Sequence, residues 1–419
     1  MRYLLLFGAL AVGCGNTVVE EGTTAGTGGG TGGTTTSSVT TGGAGGGTAG
    51  GGGVAGGGTA GGGGVAPCGG SAESDVDGDG FSPAQGDCDD CDPDVGPAAA
   101  EMPTFQPDPD QPSVEPVDDD CDGLVDEPPD VCDGALALDS EDPLDAARAL
   151  DMCSFLSEGA YHGVVSATYR LPDLLAPPAG QIAAFHKGHG LLPDLGPNAP
   201  AQRGSRLLAL SSATARRPTD PEYAQYFDKK YTSNHPPGLP FNGPCSDFTT
   251  GQPHDGIMLE VELKPPVNAT ALLFRFRFYT GGFEKDTCTE YNDHFAVLMS
   301  PAPPGLGSGN IAYDQSFNPL TVSWLFPEAC SCPDSVGCLG DPPCAAKAAL
   351  LQGSGFEGVY GAASQWLNTV APLEEGTGSL TLRFLVYDAG DGIVDTTTIV
   401  DAFEWIDKKA MTVKTPPEE

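Results

Sequence analysis

"GIMLEVELK", residues 256–264, and "ALLFRFRFY", residues 271–279, decide the fold. In the first, Ile257, Leu259, Val261 and Leu263 alternate with Met258, Glu260, Glu262 and Lys264. In the second, Leu272, Phe274, Phe276 and Phe278 alternate with Leu273, Arg275, Arg277 and Tyr279. Side chains along a strand point to opposite faces in turn, so period two with one apolar face predicts half-buried antiparallel strands. "SLTLRFLVYD" (379–388) repeats the pattern through Leu380, Leu382, Phe384 and Val386, and "HFAVLMS" (294–300) and "LTVSWLF" (320–326) add two more strands. Many short strands with Gly/Pro turns predict a mainly β domain over residues 134–410, an antiparallel β-sandwich of jelly-roll-like kind. A helix opens it: Asp142 reads as N-cap, Pro143 as first-turn residue, and Leu144, Ala147, Leu150 and Met152 as a rough apolar face.

The texture changes on the N-terminal side. Residues 68–133 are rich in Asp, Pro and Cys and poor in apolar residues, so this module needs disulfides, metal or both to hold a fold. Residues 17–66 are Gly, Thr, Ala and Ser with almost nothing to bury, which predicts a disordered linker. A flexible coil of that length spans roughly 40 Å on average. The tail, 411–419, is polar and expected to be loose.

Arg2 is followed by an apolar run, Tyr3–Val12, too short to span a bilayer. It ends in Ala11-Val12-Gly13-Cys14, which resembles the lipobox of bacterial lipoproteins. The resemblance implies a signal peptide over 1–13, a lipidated Cys14 that begins the linker (14–67), and a membrane partner reached only through that lipid. Gly15, standing where Asp would retain the protein, resembles the outer-membrane sorting pattern, and so implies an outer-membrane lipoprotein at the surface of a Gram-negative cell. The alternative is an ordinary secretory signal with an incidental Cys. Setting Cys14 aside, the remainder of the 13 Cys is an even number, as paired disulfides in an exported chain require. The formal charge of -38, from 57 acidic against 19 basic residues, excludes nucleic acid and anionic membrane surfaces as partners.

The acidic module carries the most chemistry. In "DVDGDGFSPAQGDCDDCDP" (75–93), Asp75, Asp77 and Asp79 alternate and Gly80 provides a sharp turn, as in the first half of an EF-hand calcium loop. The twelfth position, which an EF-hand fills with Glu, is Gly86, so only a fragment of that loop is present. Asp87 and Asp89 follow as further candidate ligands. "DDDCDGLVDE" (118–127) repeats the pattern with Asp118, Asp120, Asp122 and Gly123, with Asp126 and Glu127 behind. Two carboxylates ~4–5 Å apart repel by about 3–4 kcal/mol at an effective dielectric of about 20. Such a cluster spreads, protonates or takes a divalent ion. All-oxygen ligands select a hard ion, and flexible carboxylate loops favour Ca²⁺; with no His in the segment, copper is less favoured. Cys88-x-x-Cys91 is a poor redox pair, because neighbouring Asp charges raise a thiol pKa.

Residues 75–127 resemble the metal-binding motif of many bacterial surface proteins, a family named after a copper-binding surface protein, and also the calcium repeats of thrombospondin type 3. The family's two standard cysteines match Cys88 and Cys121, so the resemblance implies that these pair, and it leaves Cys68 and Cys91 to each other. Cys91 stands where the family usually has Thr or another residue. "GVVSATYRL", "HGLLPDLGPNAP", "GSRLLALSSATARRPTDPEY", "YNDHFAVLM" and "LRFLVYDAGDGIVDTTTIVDAFEW" together resemble the choice-of-anchor L domain, over about 133–407. That resemblance implies a β-sandwich with a surface or adhesion-like role and supplies no ligand. It is weaker at "FYTGGFEKDTCTEYND" (278–293), which lacks the Ser-Glu-Glu-Tyr run of many members.

Within the sandwich, Asp293, Asp388, Asp391 and Asp395 form a second polar constellation around Gly390 and Gly392. They read either as a structural calcium site or as turn caps, with Asp293 paired to Arg275 or Arg277. Cys132, Cys153, Cys245 and Cys288 are further disulfide candidates, and Cys330, Cys332, Cys338 and Cys344 read as two local disulfides or a zinc site. No Gly-x-Ser-x-Gly, His-Glu-x-x-His or P-loop is present, and His186 and His189 lack an acidic partner in sequence. The chain is therefore expected not to be an enzyme. The expected role is a calcium-binding surface protein whose sandwich recognises a glycan or surface protein. The alternatives are a hydrolase on a sandwich scaffold and a structural envelope component.

Overall fold

Among the described residues, twelve strands carry the alternation into two antiparallel sheets. The computed structural model describes residues 68–102, 116–239, 250–283, 285–307, 309–313, 318–324, 327–331, 347–358 and 360–407. Expectations for residues 1–67 (Cys14 among them), for 411–419, and for Cys245, Cys332, Cys338 and Cys344 lie outside the described residues. In chain order the elements are α1 (Pro143–Ala149), β1 (Gly163–Arg170), α2 (Ile182–Phe185), β2 (His189–Leu192), β3 (Leu207–Ser211), β4 (Pro253–Lys264), β5 (Ala271–Thr280), β6 (His294–Ser300), β7 (Leu320–Thr321), β8 (Ala329–Cys330), β9 (Ala362–Ala363), β10 (Leu367–Pro372), β11 (Leu380–Ala389) and β12 (Thr396–Ile406). One sheet runs β1-β4-β11-β6-β7; the other runs β2-β3-β12-β5-β9-β8, with β10 also on β5.

The register puts Phe384 of β11 beside Leu259 of β4 and Val297 of β6, and Phe276 of β5 beside Val400 of β12. These inward rows interleave between the sheets. Phe274 meets Phe384 edge-on at 5.4 Å and Phe276 meets Phe295 at 5.1 Å. The sequence-predicted inward residues of β4, β5 and β11 all enter this core. Three of the expected outward residues do not stay half-exposed: Arg277 is buried with its guanidinium held by Glu328 and the Ser364 carbonyl, and two apolar ones are covered. Met258 and Tyr279 are fully buried, because the chain folds back over each outer face: Leu239 covers Met258, Ala296 and Leu385, while Leu351 and Phe356 cover Tyr279. Glu260 keeps an open outer face and ties three strands, with Arg170 at 2.9 Å and Arg383 at 2.7 Å.

The helix starts as its sequence predicts. Asp142 accepts the Leu144 N–H at 3.0 Å, Pro143 occupies the first turn, and Ala146, Ala147 and Leu150 are fully buried. "LTVSWLF" does not form the expected strand. It pairs only through Leu320–Thr321 and then enters a single 3₁₀ turn, Val322–Trp324, because the Asn292 side chain accepts the Ser323 N–H at 2.9 Å and the Asp293 carbonyl accepts that of Val322.

The acidic module packs on the sandwich within one compact unit. The buried Asn268 amide pairs with both backbone groups of Ala100, at 3.0 and 2.8 Å, and Phe81 meets Tyr161 edge-on at 4.9 Å. Cys132–Cys153 crosslinks the end of the module to the segment after α1. Cys88 pairs with Cys121 and Cys68 with Cys91. Cys88 and Cys91 thus belong to different bridges and form no redox pair. Cys288 and Cys330 are disulfide-bonded as well, so Cys330 offers no thiolate to zinc. No helix among the described residues is long and apolar enough to cross a membrane.

Candidate metal centre

The first Asp loop is wound by its own carboxylates. Asp75 accepts the N–H groups of Gly78 and Gly80, Asp77 accepts that of Asp79, and Asp79 accepts that of Phe81. Gly78 and Gly80 sit at φ 88° and 103°, a region that strains any other residue. Asp75 gives both oxygens to the backbone, whereas Asp77 and Asp79 each give one and keep the other free of it. Oδ2 of Asp77, Asp79 and Asp87 is buried without a hydrogen-bond partner. Ligand oxygens of Asp75, Asp77 and Asp79 lie within 4.8 Å of one another. Asp87, only 5% exposed, lies near enough for the charges of Asp79 and Asp77 to act on it.

Burial, opposed by the Asp89 N–H and reinforced by the charges of Asp79 and Asp77, pushes the Asp87 carboxyl up to about 6. Burial likewise raises Asp79. A buried carboxylate with an unmatched oxygen is costly, and a divalent cation at that point reverses the sign of its environment. Gly96 makes the space: a Cβ there would lie 2.6 Å from Asp79 Oδ2.

The second loop repeats the winding, with Asp118 accepting from Gly123, Asp120 from Asp122, and Asp122 from Leu124. Asp118, Asp120 and Asp122 converge within 4.8 Å, and Asp118 Oδ1 is buried without a partner. A second group shares Asp120 and adds Glu101 and Glu127. Glu101 accepts the N–H groups of Asp119 and Asp126 at 3.0 and 2.6 Å, and burial, against those two bonds, pushes it up to about 7. Glu101 stands before residues 103–115, far from the repeat, so no spacing in the sequence marks it. Met102, the thioether of this segment, is buried.

Two expected ligands are placed elsewhere. Asp89 lies with the Cys68–Cys91 disulfide, where the sulfurs are not free to ligate, and it accepts the Cys91 N–H. Asp126 sits at φ 52°, and its N–H serves Glu101. Asp90 stands in for Asp89: it accepts the Val76 N–H at 2.9 Å, and its charge acts on Asp79 and Asp87.

The sandwich acids do not assemble into a comparable group among the described residues. Asp293 accepts the Ala389 N–H at 3.0 Å and the Thr396 hydroxyl at 2.6 Å, rather than pairing with arginine. Arg277 goes instead to Glu328 at 3.1 Å and to the Ser364 carbonyl. Asp395 accepts the Tyr226 N–H and Asp391 that of Ile393. Burial raises Asp388 far above the carboxylate range, with Asp293 adding to the shift. The cation near them is the fully buried Lys229, which donates to the Ser211 and Asp255 carbonyls at 2.8 and 2.7 Å. His189 and His186 bond each other at 2.8 Å; His189 is buried and stacks on Tyr169, while His186 is half-buried with its Nε2 4.0 Å from Glu141, an acidic partner that the sequence spacing did not show.

No protein family, curated protein or solved structure matches the chain.

Proposed function

We propose that this chain is a calcium-binding surface protein, lipid-anchored through Cys14, whose Asp-rich module is ordered by Ca²⁺ and supports a β-sandwich recognition domain. One observation carries the metal reading. Asp77, Asp79 and Asp87 at the first loop, and Asp118 in the second, each spend one oxygen on the backbone and leave the other buried and unmatched. Asp75, Asp77, Asp79 and Asp87 would hold one ion, and Asp118, Asp120 and Asp122 another. An all-oxygen, carboxylate-rich loop suits Ca²⁺, at dissociation constants of roughly 10⁻⁴–10⁻³ M for extracellular modules. The ion's contribution is structural: it neutralises charge that the small apolar content of the module cannot offset.

The test is elemental analysis of the purified chain after dialysis against millimolar calcium. Two equivalents of calcium per chain are expected, falling to one in Asp77→Asn/Asp79→Asn. A chain that returns no stoichiometric metal refutes the reading. The lipid anchor is checked separately, by intact mass and by loss of membrane association in Cys14→Ser.

A further inference from the structure

A cavity of about 250 Å³ lies where the acidic module meets the sandwich. Its module side carries Glu101, Asp120 and Glu127, and its sandwich side carries Trp405, whose indole stands edge-on to Phe403 at 5.0 Å. Among the described residues, the charged lining is seven carboxylates, Glu101, Asp120, Asp122, Glu127, Asp130, Asp151 and Glu404, joined by the neutral polar groups of His162 and Ser154. Asp151 lines it too, with its side chain fully buried, at φ 66°; one oxygen is 3.1 Å from Arg203 and neither accepts a well-formed hydrogen bond. Glu127 Oε2 is likewise buried without a partner.

This inventory selects a ligand. Ionised carboxylates only accept hydrogen bonds. So many carboxylates repel anions and favour a cation over a neutral sugar. An ammonium offers three donors and no acceptor, and an aromatic wall attracts it further. A bare metal ion has no use for a cavity walled by Trp405, Phe403 and Leu263. We propose that the module–sandwich cavity binds a primary ammonium or guanidinium on an apolar stem, the basic side chain of a peptide ligand. This deepens the recognition reading by naming a ligand class, and because Asp120 and Asp122 also belong to the second proposed calcium loop, the ammonium and calcium are expected to compete.

The experiment titrates the full chain, in chelator, with Nα-acetyl-lysine methylamide while following Trp fluorescence. A saturable change is expected, absent with the Nε-acetylated compound and with glucose. Glu127→Gln is expected to weaken binding at least tenfold while the near-ultraviolet circular dichroism stays unchanged. Because Trp324 and Trp366 also fluoresce, Trp405→Phe is expected to remove the signal while calorimetry still records heat of binding. No saturation, an equal response to the acetylated compound, or binding that appears only when calcium is added would overturn the proposal. Calcium stoichiometry is measured separately, so failure here leaves the metal reading distinguishable.

Discussion

At the scale of single residues, the module turns on which oxygen of each aspartate faces the backbone. The alternating Asp and the glycines at positive φ were legible in the sequence, because both follow from the local winding of a short loop. Asp87 was legible as a candidate ligand too, whereas Glu101 as a partner of the second loop was not, because that contact closes across the chain. Gly96 shows how narrow the fit is. Its φ is not positive, so alanine is compatible with the backbone, yet the added methyl would collide with Asp79 Oδ2. Gly96→Ala is expected to weaken one of the two calcium sites at least tenfold and leave the other unchanged. Calorimetric titration of the chelator-stripped chain checks this, and two unaltered sites would dissociate Gly96 from ion binding.

At the scale of elements, strand alternation predicted the inward rows and missed the covered outer faces. Period two reports which side chains share a face, but whether that face meets solvent depends on distant loops, here those carrying Leu239 and Phe356. The bulges were equally hidden. β12 breaks register between Asp401 and Glu404, with Ala402 at φ 52°, and this buries Asp401 against the Gln202 and Ala402 N–H groups. The energetic ranking of elements can be tested. Phe384→Ala, at the meeting of both sheets, is expected to cost about 3–5 kcal/mol. Asp142→Ala removes only the α1 cap and is expected to cost about 1 kcal/mol. Chemical denaturation at fixed calcium measures both, and equal costs would contradict the placement of the core.

At the scale of the whole molecule, buried acids tie stability to pH. Burial pushes Asp293 and Asp401 each up to about 8, although their backbone and hydroxyl donors pull the other way. Unfolded, both titrate near about 4. Between those values the folded chain holds protons that the unfolded chain releases, so stability is full below about pH 4 and declines as pH rises towards about 8. Lys229, pushed down to about 8 by burial, acts in the opposite sense above that pH. Thermal melts in chelator are therefore expected to fall from pH 5 to 8, with a shallower slope in Asp293→Asn, which imitates the neutral acid. Calcium is expected to remove the part of the slope that comes from Asp87 and Glu101. A melting temperature that rises with pH over that window would contradict the sign.

By itself the sequence determined the secondary structure of the long strands, the apolar rows they share and the winding of each Asp loop, because these depend on residues within a turn or two of one another. Only the tertiary structure decided which carboxylates meet, which disulfide closes the module onto the helix, that Lys229 is buried beside the sandwich acids, and that a cavity opens at Trp405. Those outcomes depend on chain segments brought together from far apart, and on burial, which converts an ordinary acid into a neutral or cation-seeking one.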